Sequence, residues 1–242
     1  MAAPKAIIIG ASTGIGEALA IELANNGYEI GLTSRREHLL SELAEKLPTK
    51  SYFRAMDVAK HDEAIRILND LFAEMGDVDL VVINAGISLK SHADWQSEKA
   101  VIDVNVTGFV AMFNASWAYF LQRGSGHIAG ISSIASYKGF HRNSVYCASK
   151  AFISNYMQGF RQKAHRKKVN ITVSDIRPGF VATPMTEHNK GMFWVAPPEK
   201  AAKQIYSALR RKRSHAFITK RWRFAAWFIQ LIPDWIFVRL PA

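Results

Sequence analysis

Intrachain disulfides are excluded, because the 242 residues include a single cysteine, Cys147. No uninterrupted apolar stretch reaches the roughly 18 residues that a membrane-spanning helix needs. The sequence also lacks an internal repeat, a low-complexity segment, and the charged and long apolar regions of a secretory signal. These absences are typical of a globular protein of a reducing compartment, and we expect the protein in the cytoplasm.

The charge of the chain is one-sided, with 31 lysines and arginines, 20 acidic residues and a formal net charge of +11 at pH 7. Such a balance favours an anionic partner: nucleotide phosphates, an acidic membrane surface or nucleic acid. No recognition element for nucleic acid is found and the basic residues crowd towards the C-terminus, so we expect no nucleic-acid partner. Hydrophobic residues make up 49% of the chain, which is enough for the core of one larger α/β domain.

Strand and helix patterns alternate along the chain. Strands are predicted at residues 5–10, 29–34, 51–55, 79–83, 126–131, 170–176 and 215–219, and helices at residues 18–24, 37–45, 62–75, 97–122, 145–166 and 198–210. This alternation predicts an α/β fold, a Rossmann-like doubly wound parallel sheet with helices on both faces. Ligands of such sheets bind beyond the carboxyl ends of the strands. Asp57 and the turn from Asn84 to Gly86 lie at such ends, although each could equally cap a loop.

A glycine-rich turn connects the first strand to the first helix. Gly10, Gly14 and Gly16 would let the backbone approach a pyrophosphate, to which the helix N-terminus offers free N–H groups. Because tight turns use glycine anyway, it is the strand before and the helix after the turn that support this interpretation.

The second predicted strand ends at Ser34 and is followed by Arg35. A dinucleotide fold that prefers NADH carries an acidic residue at this place, which binds the 2′-hydroxyl of the ribose. Serine followed by arginine would accept a 2′-phosphate, so the sequence favours NADPH. The alternative is that Arg35 and Arg36 are only the solvated start of the next helix.

Tyr146 and Lys150 are four residues apart in a predicted helix, so they share one face about one turn apart. A free phenol has a pKa of about 10, which is too high for a base at neutral pH. An ammonium about 4 Å away would favour the phenolate by roughly 4 kcal/mol at an effective dielectric constant near 20. The pair is therefore suited to proton transfer, although a packed tyrosine and a solvated lysine often have this spacing by chance.

Polar residues and a flap are expected near this pair. Ser132 and Ser133 follow a strand, and because side chains alternate along a strand, only one of them is expected to be catalytic. Asn105 falls in an apolar helix, where either a structural hydrogen bond or a water near the active site must satisfy its amide. Residues 184–194 are predicted to form a mobile flap, whose apolar side chains either cover an apolar substrate or close the core.

In this order, the motifs resemble those of the single-domain short-chain dehydrogenases/reductases. The matching pieces are Gly10-x-x-x-Gly14-x-Gly16, Asp57, Asn84-Ala85-Gly86, Asn105, Ser133, Tyr146-x-x-x-Lys150, and Pro178-Gly179 with Thr183. Each motif is modest by itself, but together they are specific and cover residues 5–219.

The resemblance implies catalytic roles for four residues. Tyr146 would donate a proton to a carbonyl in reduction and remove it in oxidation, and Lys150 would lower the Tyr146 pKa and bind the nicotinamide ribose. Ser133, thirteen residues before Tyr146, would hold the substrate oxygen. Asn105 would hold a water that links Lys150 to solvent.

The resemblance also implies cofactor contacts and, by analogy, a homo-oligomer. Gly10, Thr13, Gly14 and Ile15 would border the pyrophosphate, Asp57 and Val58 the adenine, Asn84 the adenosine ribose region, and Val181 and Thr183 the carboxamide. Gly86, Pro178 and Gly179 complete the expected cofactor contacts. The expected cofactor is NADP(H), and no metal site is expected.

Residues 220–242 form a basic and aromatic tail after a predicted domain of residues 1–219. Seven basic residues cluster just before or at its start: Arg210, Arg211, Lys212, Arg213, Lys220, Arg221 and Arg223. With the aromatic segment that follows, they suit an interfacial anchor on an anionic membrane. The alternative is that the tail packs on a neighbouring subunit or covers a groove of its own domain.

We therefore expect an NADP(H)-dependent oxidoreductase that reduces a ketone, or oxidises the secondary alcohol, with a Ser-Tyr-Lys-Asn site. Its substrate is expected to be lipid-like or lipid-linked, with peripheral binding at the inner membrane face. The rival from another class is a non-catalytic nucleotide-sensing module on a membrane, against which the intact set of site residues argues.

Overall fold

Seven parallel strands form one sheet within the residues that the computed structural model describes, 2–89, 94–141, 143–187 and 191–240. The strands are β1 (Lys5–Ile9), β2 (Glu29–Ser34), β3 (Ser51–Ala55), β4 (Leu80–Ile83), β5 (Ser125–Ile131), β6 (Asn170–Pro178) and β7 (His215–Ile218). Their order is β3-β2-β1-β4-β5-β6-β7, so the winding reverses between β1 and β4. The predicted α/β fold with a Rossmann-like doubly wound parallel sheet is confirmed.

Helices cover both faces of this sheet. They are α1 (Gly14–Asn25), α2 (Glu37–Lys46), α3 (His61–Met75), α4 (Trp95–Ile102), α5 (Phe109–Arg123), α6 (Ser144–Lys167) and α7 (Pro198–Arg210). In β1, Ala6 and Ile8 pack with residues of α1, α2 and α7, whereas Ile7 and Ile9 pack with residues of α3, α5 and α6. The two-residue period of the strand thus divides the core into two apolar layers.

The single helix predicted at residues 97–122 is wrong in its middle. A π-helical turn over Asp103–Gly108 separates α4 from α5. This wider turn accommodates two tight contacts: Asn105 bonds to the backbone of Ile87, and a Cβ on Gly108 would lie 2.7 Å from a backbone oxygen of the loop after β3. Hydrophobic periodicity does not register a turn that is wider by one residue, so the sequence pattern does not show the break.

Two helices follow β7, α8 (Trp222–Leu231) and α9 (Asp234–Phe237). Trp222 is 1% exposed and packs on Gly179, where a Cβ would lie 2.1 Å from the indole ring. Asp234 at the start of α9 pairs with Lys138 at 2.5 Å. Across the described ranges, no helix has both the length and the apolar character to cross a bilayer. The domain boundary after Thr219 stays a prediction, although the first turn of α8 is already seated on the preceding residues.

Candidate active site

A cleft opens beyond the carboxyl ends of the strands, at the reversal between β1 and β4. Its lining includes every residue that the sequence predicted to contact the cofactor: Gly10, Thr13, Gly14, Ile15, Ser34, Arg35, Asp57, Val58, Asn84, Gly86, Tyr146, Lys150, Pro178, Gly179, Val181 and Thr183. Ser133 also lines the cleft. The fold thus brings together residues that are up to 173 positions apart in the sequence, from Gly10 to Thr183.

The glycine turn at one end of the cleft is closely packed. Gly10 has a φ of +92°, and a Cβ there would lie 2.6 Å from the backbone nitrogen of Ala85. The Nδ2 of Asn84 donates a hydrogen bond to the Gly10 carbonyl at 2.6 Å, which fixes the turn against the end of β4. Thr13 precedes α1 without capping it through its side chain, so the first N–H groups of α1 are available to an anion. These residues fit the pyrophosphate of a dinucleotide.

Arg36 reaches back over this turn, and the sequence analysis did not select it as a cofactor residue. Its Nη2 donates to the Ser12 Oγ at 2.8 Å and to the Thr13 Oγ1 at 3.0 Å. Arg35, which was selected, is exposed and also lines the cleft. The sequence shows two consecutive arginines. It does not show which side chain contacts the glycine turn, because that depends on the backbone conformation after β2.

Tyr146 and Lys150 lie on the first turns of α6. The Lys150 Nζ donates to the backbone oxygen of Ile131 at 3.0 Å and lies 5.6 Å from the centroid of the Tyr146 ring. The Ser133 Oγ, just beyond β5, accepts from the Ala135 N–H at 3.1 Å and donates to the Pro178 carbonyl at 3.5 Å, and its proximity to the phenol of Tyr146 lowers the pKa of that phenol. Three of the four side chains predicted to be catalytic, those of Ser133, Tyr146 and Lys150, therefore line the same part of the cleft.

Burial dominates the ionisation of this pair. It raises the pKa of Tyr146 to about 12, against the opposing effect of Ser133. Burial also lowers the pKa of Lys150 to about 8, although the charge of Asp175 raises it. The expected lowering of the Tyr146 pKa by Lys150 is wrong for this arrangement, because the ammonium is directed to the Ile131 carbonyl and the phenol is desolvated. A neutral phenol at pH 7 is a proton donor.

Asn105 lies behind the cleft and does not line it. Its Oδ1 accepts from the Ile87 N–H at 2.8 Å, and its Nδ2 donates to the Ile87 carbonyl at 2.9 Å and to the Ser149 Oγ at 3.0 Å. Both amide protons are therefore used, and the side chain secures the segment after Gly86 to α6. Of the two interpretations of Asn105, these contacts show the structural hydrogen bond. The link between Asn105 and a water near the active site stays a prediction.

Ser132 faces away from Tyr146, as the alternation along the strand predicted. Its Oγ donates to the Oδ1 of Asp175 at 2.5 Å, and Asp175 is fully buried. The other oxygen, Oδ2, accepts from the Ser154 Oγ at 2.5 Å and from the Arg177 Nε at 2.7 Å. The carboxylate thus joins the end of β5 to α6 directly behind the catalytic residues.

Asp175 is a residue that the sequence analysis missed. Burial raises its pKa, but hydrogen bonds from His215, Ser132 and Ser154 and the charge of Arg177 outweigh burial and bring the pKa to about 2. The signal in the sequence is an acidic residue between Val173 and Ile176 in a predicted strand, a position that is unfavourable unless the carboxylate is fully bonded.

A doubly wound sheet with a pyrophosphate cradle, next to a serine, a tyrosine and a lysine, defines a nucleotide-binding oxidoreductase. Residues 4–192 match the family model of the short chain dehydrogenases. An uncharacterised oxidoreductase of Staphylococcus epidermidis is 37% identical over 185 residues, which cover 75% of this chain and 80% of the relative. The chain therefore belongs to the short-chain dehydrogenase family.

Two further matches concern proteins whose names include a cofactor. The NADP-dependent 3-hydroxy acid dehydrogenase YdfG of Shigella flexneri is 32% identical over 182 residues, which cover 72% of this chain and 71% of the relative. The closed form of a serine dehydrogenase complexed with NADP+ superimposes with a TM-score of 0.78 at 26% identity, and the match covers 88% of this chain and 93% of that chain. The segment from α7 to α9 lies beyond the residues that the family model matches.

Proposed function

We propose that the protein reduces a ketone, or oxidises the corresponding secondary alcohol, with NADP(H). The observation that carries this proposal is the meeting of Ser133, Tyr146 and Lys150 beside the glycine turn. The raised pKa of Tyr146 favours the direction of reduction, because a neutral phenol can protonate the oxygen of the carbonyl. When bound, the cofactor supplies the hydride.

Three residues of the cleft have separate roles in the proposed reduction. Tyr146 donates its proton to the substrate oxygen, and Ser133 holds that oxygen by a hydrogen bond. Lys150 carries a positive charge that stabilises the phenolate left behind. Its bond to the Ile131 carbonyl keeps the ammonium in place in a site from which solvent is largely excluded, since Lys150 itself is buried.

NADP(H) is proposed over NAD(H) because of the charge at the end of β2. Ser34, Arg35 and Arg36 line the cleft there, at the place where an acidic residue would repel a 2′-phosphate. The guanidinium of Arg36 lies against Ser12 and Thr13, close to the glycine turn. NADP in the name of the Shigella relative and in the serine dehydrogenase complex supports the same choice.

A lipid-like or lipid-linked ketone is proposed as the substrate, since apolar side chains border the mouth of the cleft. Pro184 and Met185 belong to the lining, and Met185 is exposed. Further along the predicted flap, Phe193 and Trp194 are exposed and pack on one another with ring centroids 5.4 Å apart. Residues 188–190 of the flap lie outside the described ranges.

The replacement Tyr146→Phe tests the catalytic assignment. We expect this variant to bind NADPH as the wild type does but to lose at least roughly a hundredfold in turnover, since a positioned acid contributes about 10²–10⁴-fold. Oxidation of NADPH by a panel of ketones and binding of NADPH, followed by its fluorescence, are the two measurements.

Tyr156→Phe is the matched control, because Tyr156 lies on the same helix and its hydroxyl accepts from Asn114 outside the cleft. Full turnover in Tyr146→Phe would contradict the proposal. A wild type that binds NADPH but oxidises it with none of the ketones would favour the nucleotide-sensing module instead.

A further inference from the structure

The outer face of α8 is apolar and uncovered. Phe224, Trp227, Phe228 and Leu231 follow one another at steps of three, one and three residues, which places them on one side of a helix. All four are exposed, Trp227 by 72% and Phe228 by 69%. The opposite side, with Trp222 and Ala226, is buried on the domain. A surface helix normally exposes polar residues to solvent. An exposed apolar face of this kind is typical of a surface that binds another molecule or a membrane.

Further exposed apolar side chains adjoin α8 at both of its ends. Phe193 and Trp194 of the flap contact Trp222, with ring centroids 5.0 Å and 5.5 Å away, and Trp235 and Val238 follow in and after α9. We call the set of Phe193, Trp194, Phe224, Trp227, Phe228, Leu231, Trp235 and Val238 the aromatic face. Six of its eight members are aromatic: two in the flap, three in α8 and one in α9.

The charge along the part of the chain that includes α8 is of one sign. From Lys200 to Pro233 the sequence contains nine basic residues and no acidic one. Lys220, Arg221 and Arg223, at the start of α8, are all exposed. Asp234, the next acidic residue, is paired with Lys138.

Basic residues next to exposed tryptophan and phenylalanine suit the interface of an anionic bilayer. Tryptophan is favoured there because its ring is apolar and its N–H is polar, and each basic residue near an anionic leaflet adds about 1 kcal/mol. The ten residues of α8 extend only about 15 Å, too little to span the hydrocarbon but enough to lie in the interface.

We propose that the aromatic face docks on an anionic lipid bilayer and thereby brings the mouth of the cleft to the membrane surface. The docking is inferred from the exposed aromatic and basic residues alone. Its link to a lipid-like substrate rests on the proposed function. Other occupants, above all a second copy of this chain, are outcomes of the test below.

The link to the cleft follows from contacts that α8 makes with its lining. The indole of Trp222 lies against Gly179, which lines the cleft, and against Phe180 at 5.5 Å between ring centroids. Arg221 lies 5.1 Å above the ring of Trp194 in the flap. Trp222 and Arg221 of the docking region therefore contact both the flap and the wall of the cleft, and in our proposal a molecule in the bilayer enters the cleft at this side.

Co-sedimentation of the full chain with vesicles tests the docking. The vesicles are phosphatidylcholine alone and phosphatidylcholine mixed with phosphatidylglycerol. We expect binding to the mixed vesicles only, and a decrease of binding as salt is added. The double variant Trp227→Ser, Phe228→Ser should lose at least roughly tenfold in binding, since each buried aromatic ring contributes on the order of a tenfold factor or more.

Trp95→Ser with Phe152→Ser is the matched control, because it removes the same two residue types, 66% and 40% exposed, from α4 and α6. The control should bind like the wild type. Wild type that does not sediment with mixed vesicles, or an α8 variant that binds as well as the control, would overturn the proposal. A change of oligomeric state in the α8 variant without a change in vesicle binding would assign the face to a subunit contact and overturn it too.

The two proposals fail separately. Turnover of a water-soluble ketone is measured for each variant without vesicles, and the α8 variant should keep it, which also shows that it is folded. Vesicle binding without any turnover would remove the proposed function and leave the docking. Turnover without vesicle binding would overturn the docking and leave the proposed function.

Discussion

At the scale of single residues, the same burial shifts Tyr146 and Lys150 in opposite directions. The phenol is kept neutral and the ammonium is weakened, because burial disfavours whichever form is charged. Spacing along the helix predicted that these side chains would meet, and they do. It did not predict their pKa values, which depend on how deeply Ser133, Ile131 and the start of α6 enclose them.

The pH dependence of reduction should reveal Lys150. Its pKa is about 8, so the ammonium is present below that pH and is lost as the pH rises through it, and kcat/KM should fall over the same range. Tyr146, with a pKa of about 12, keeps its proton throughout. A profile of kcat/KM over about pH 6 to 10 is the measurement; a rate that stays constant up to the alkaline end would contradict the role of Lys150.

Arg36 should decide the preference between the two nicotinamide cofactors. Arg36→Ala is expected to lower kcat/KM for NADPH by roughly 10- to 100-fold, the loss of a charge-assisted hydrogen bond, and to leave the value for NADH nearly unchanged. Arg66→Ala, an exposed arginine of α3, is the control. Equal losses with both cofactors would show that Arg36 holds the glycine turn and does not read the 2′-phosphate.

At the scale of elements, the sequence predicted those parts whose pattern is local. The buried run before Gly10 and the apolar period after Gly16 predicted β1, the turn and α1, because a short apolar strand and an apolar helix differ in period. The π-helical turn at Asp103–Gly108 was not predictable in this way, since Asn105 within it bonds to Ile87, eighteen residues away, and a local pattern does not register such a contact. Asp175 was missed for the same reason, because three of its partners, Ser132, Ser154 and His215, come from outside its own strand.

The two faces of α8 should respond differently to truncation of a tryptophan. Trp222→Ala should destabilise the protein by about 3–5 kcal/mol, the usual cost of removing a large buried side chain. Trp227→Ala, on the exposed face of the same helix, should change the free energy of unfolding by about 0.5 kcal/mol or less. Urea denaturation measures both. Similar values for the two variants would mean that α8 is not seated on the domain through Trp222.

At the scale of the whole molecule, the order of the strands separates two kinds of surface. The reversal between β1 and β4 opens the cleft, and β7, at the edge of the sheet, leads into α8 and the aromatic face. Trp95 of α4 and Phe152 of α6 are exposed as well. By analogy with the family, a homo-oligomer would form through the helices of Asn105 and Tyr146, and it stays a prediction.

Asp175 has a consequence for how quickly the site is ready to react. Because one carboxylate accepts hydrogen bonds from the hydroxyl groups of Ser132 and Ser154, the end of β5, next to Ser133, is connected to the helix that carries Tyr146 and Lys150. We expect this connection to hold the three side chains in place before a substrate arrives. Dipoles that are aligned in advance cost no reorganisation in the transition state, so under the proposed function Asp175 would contribute to the rate through a contact with the site residues and not with the substrate.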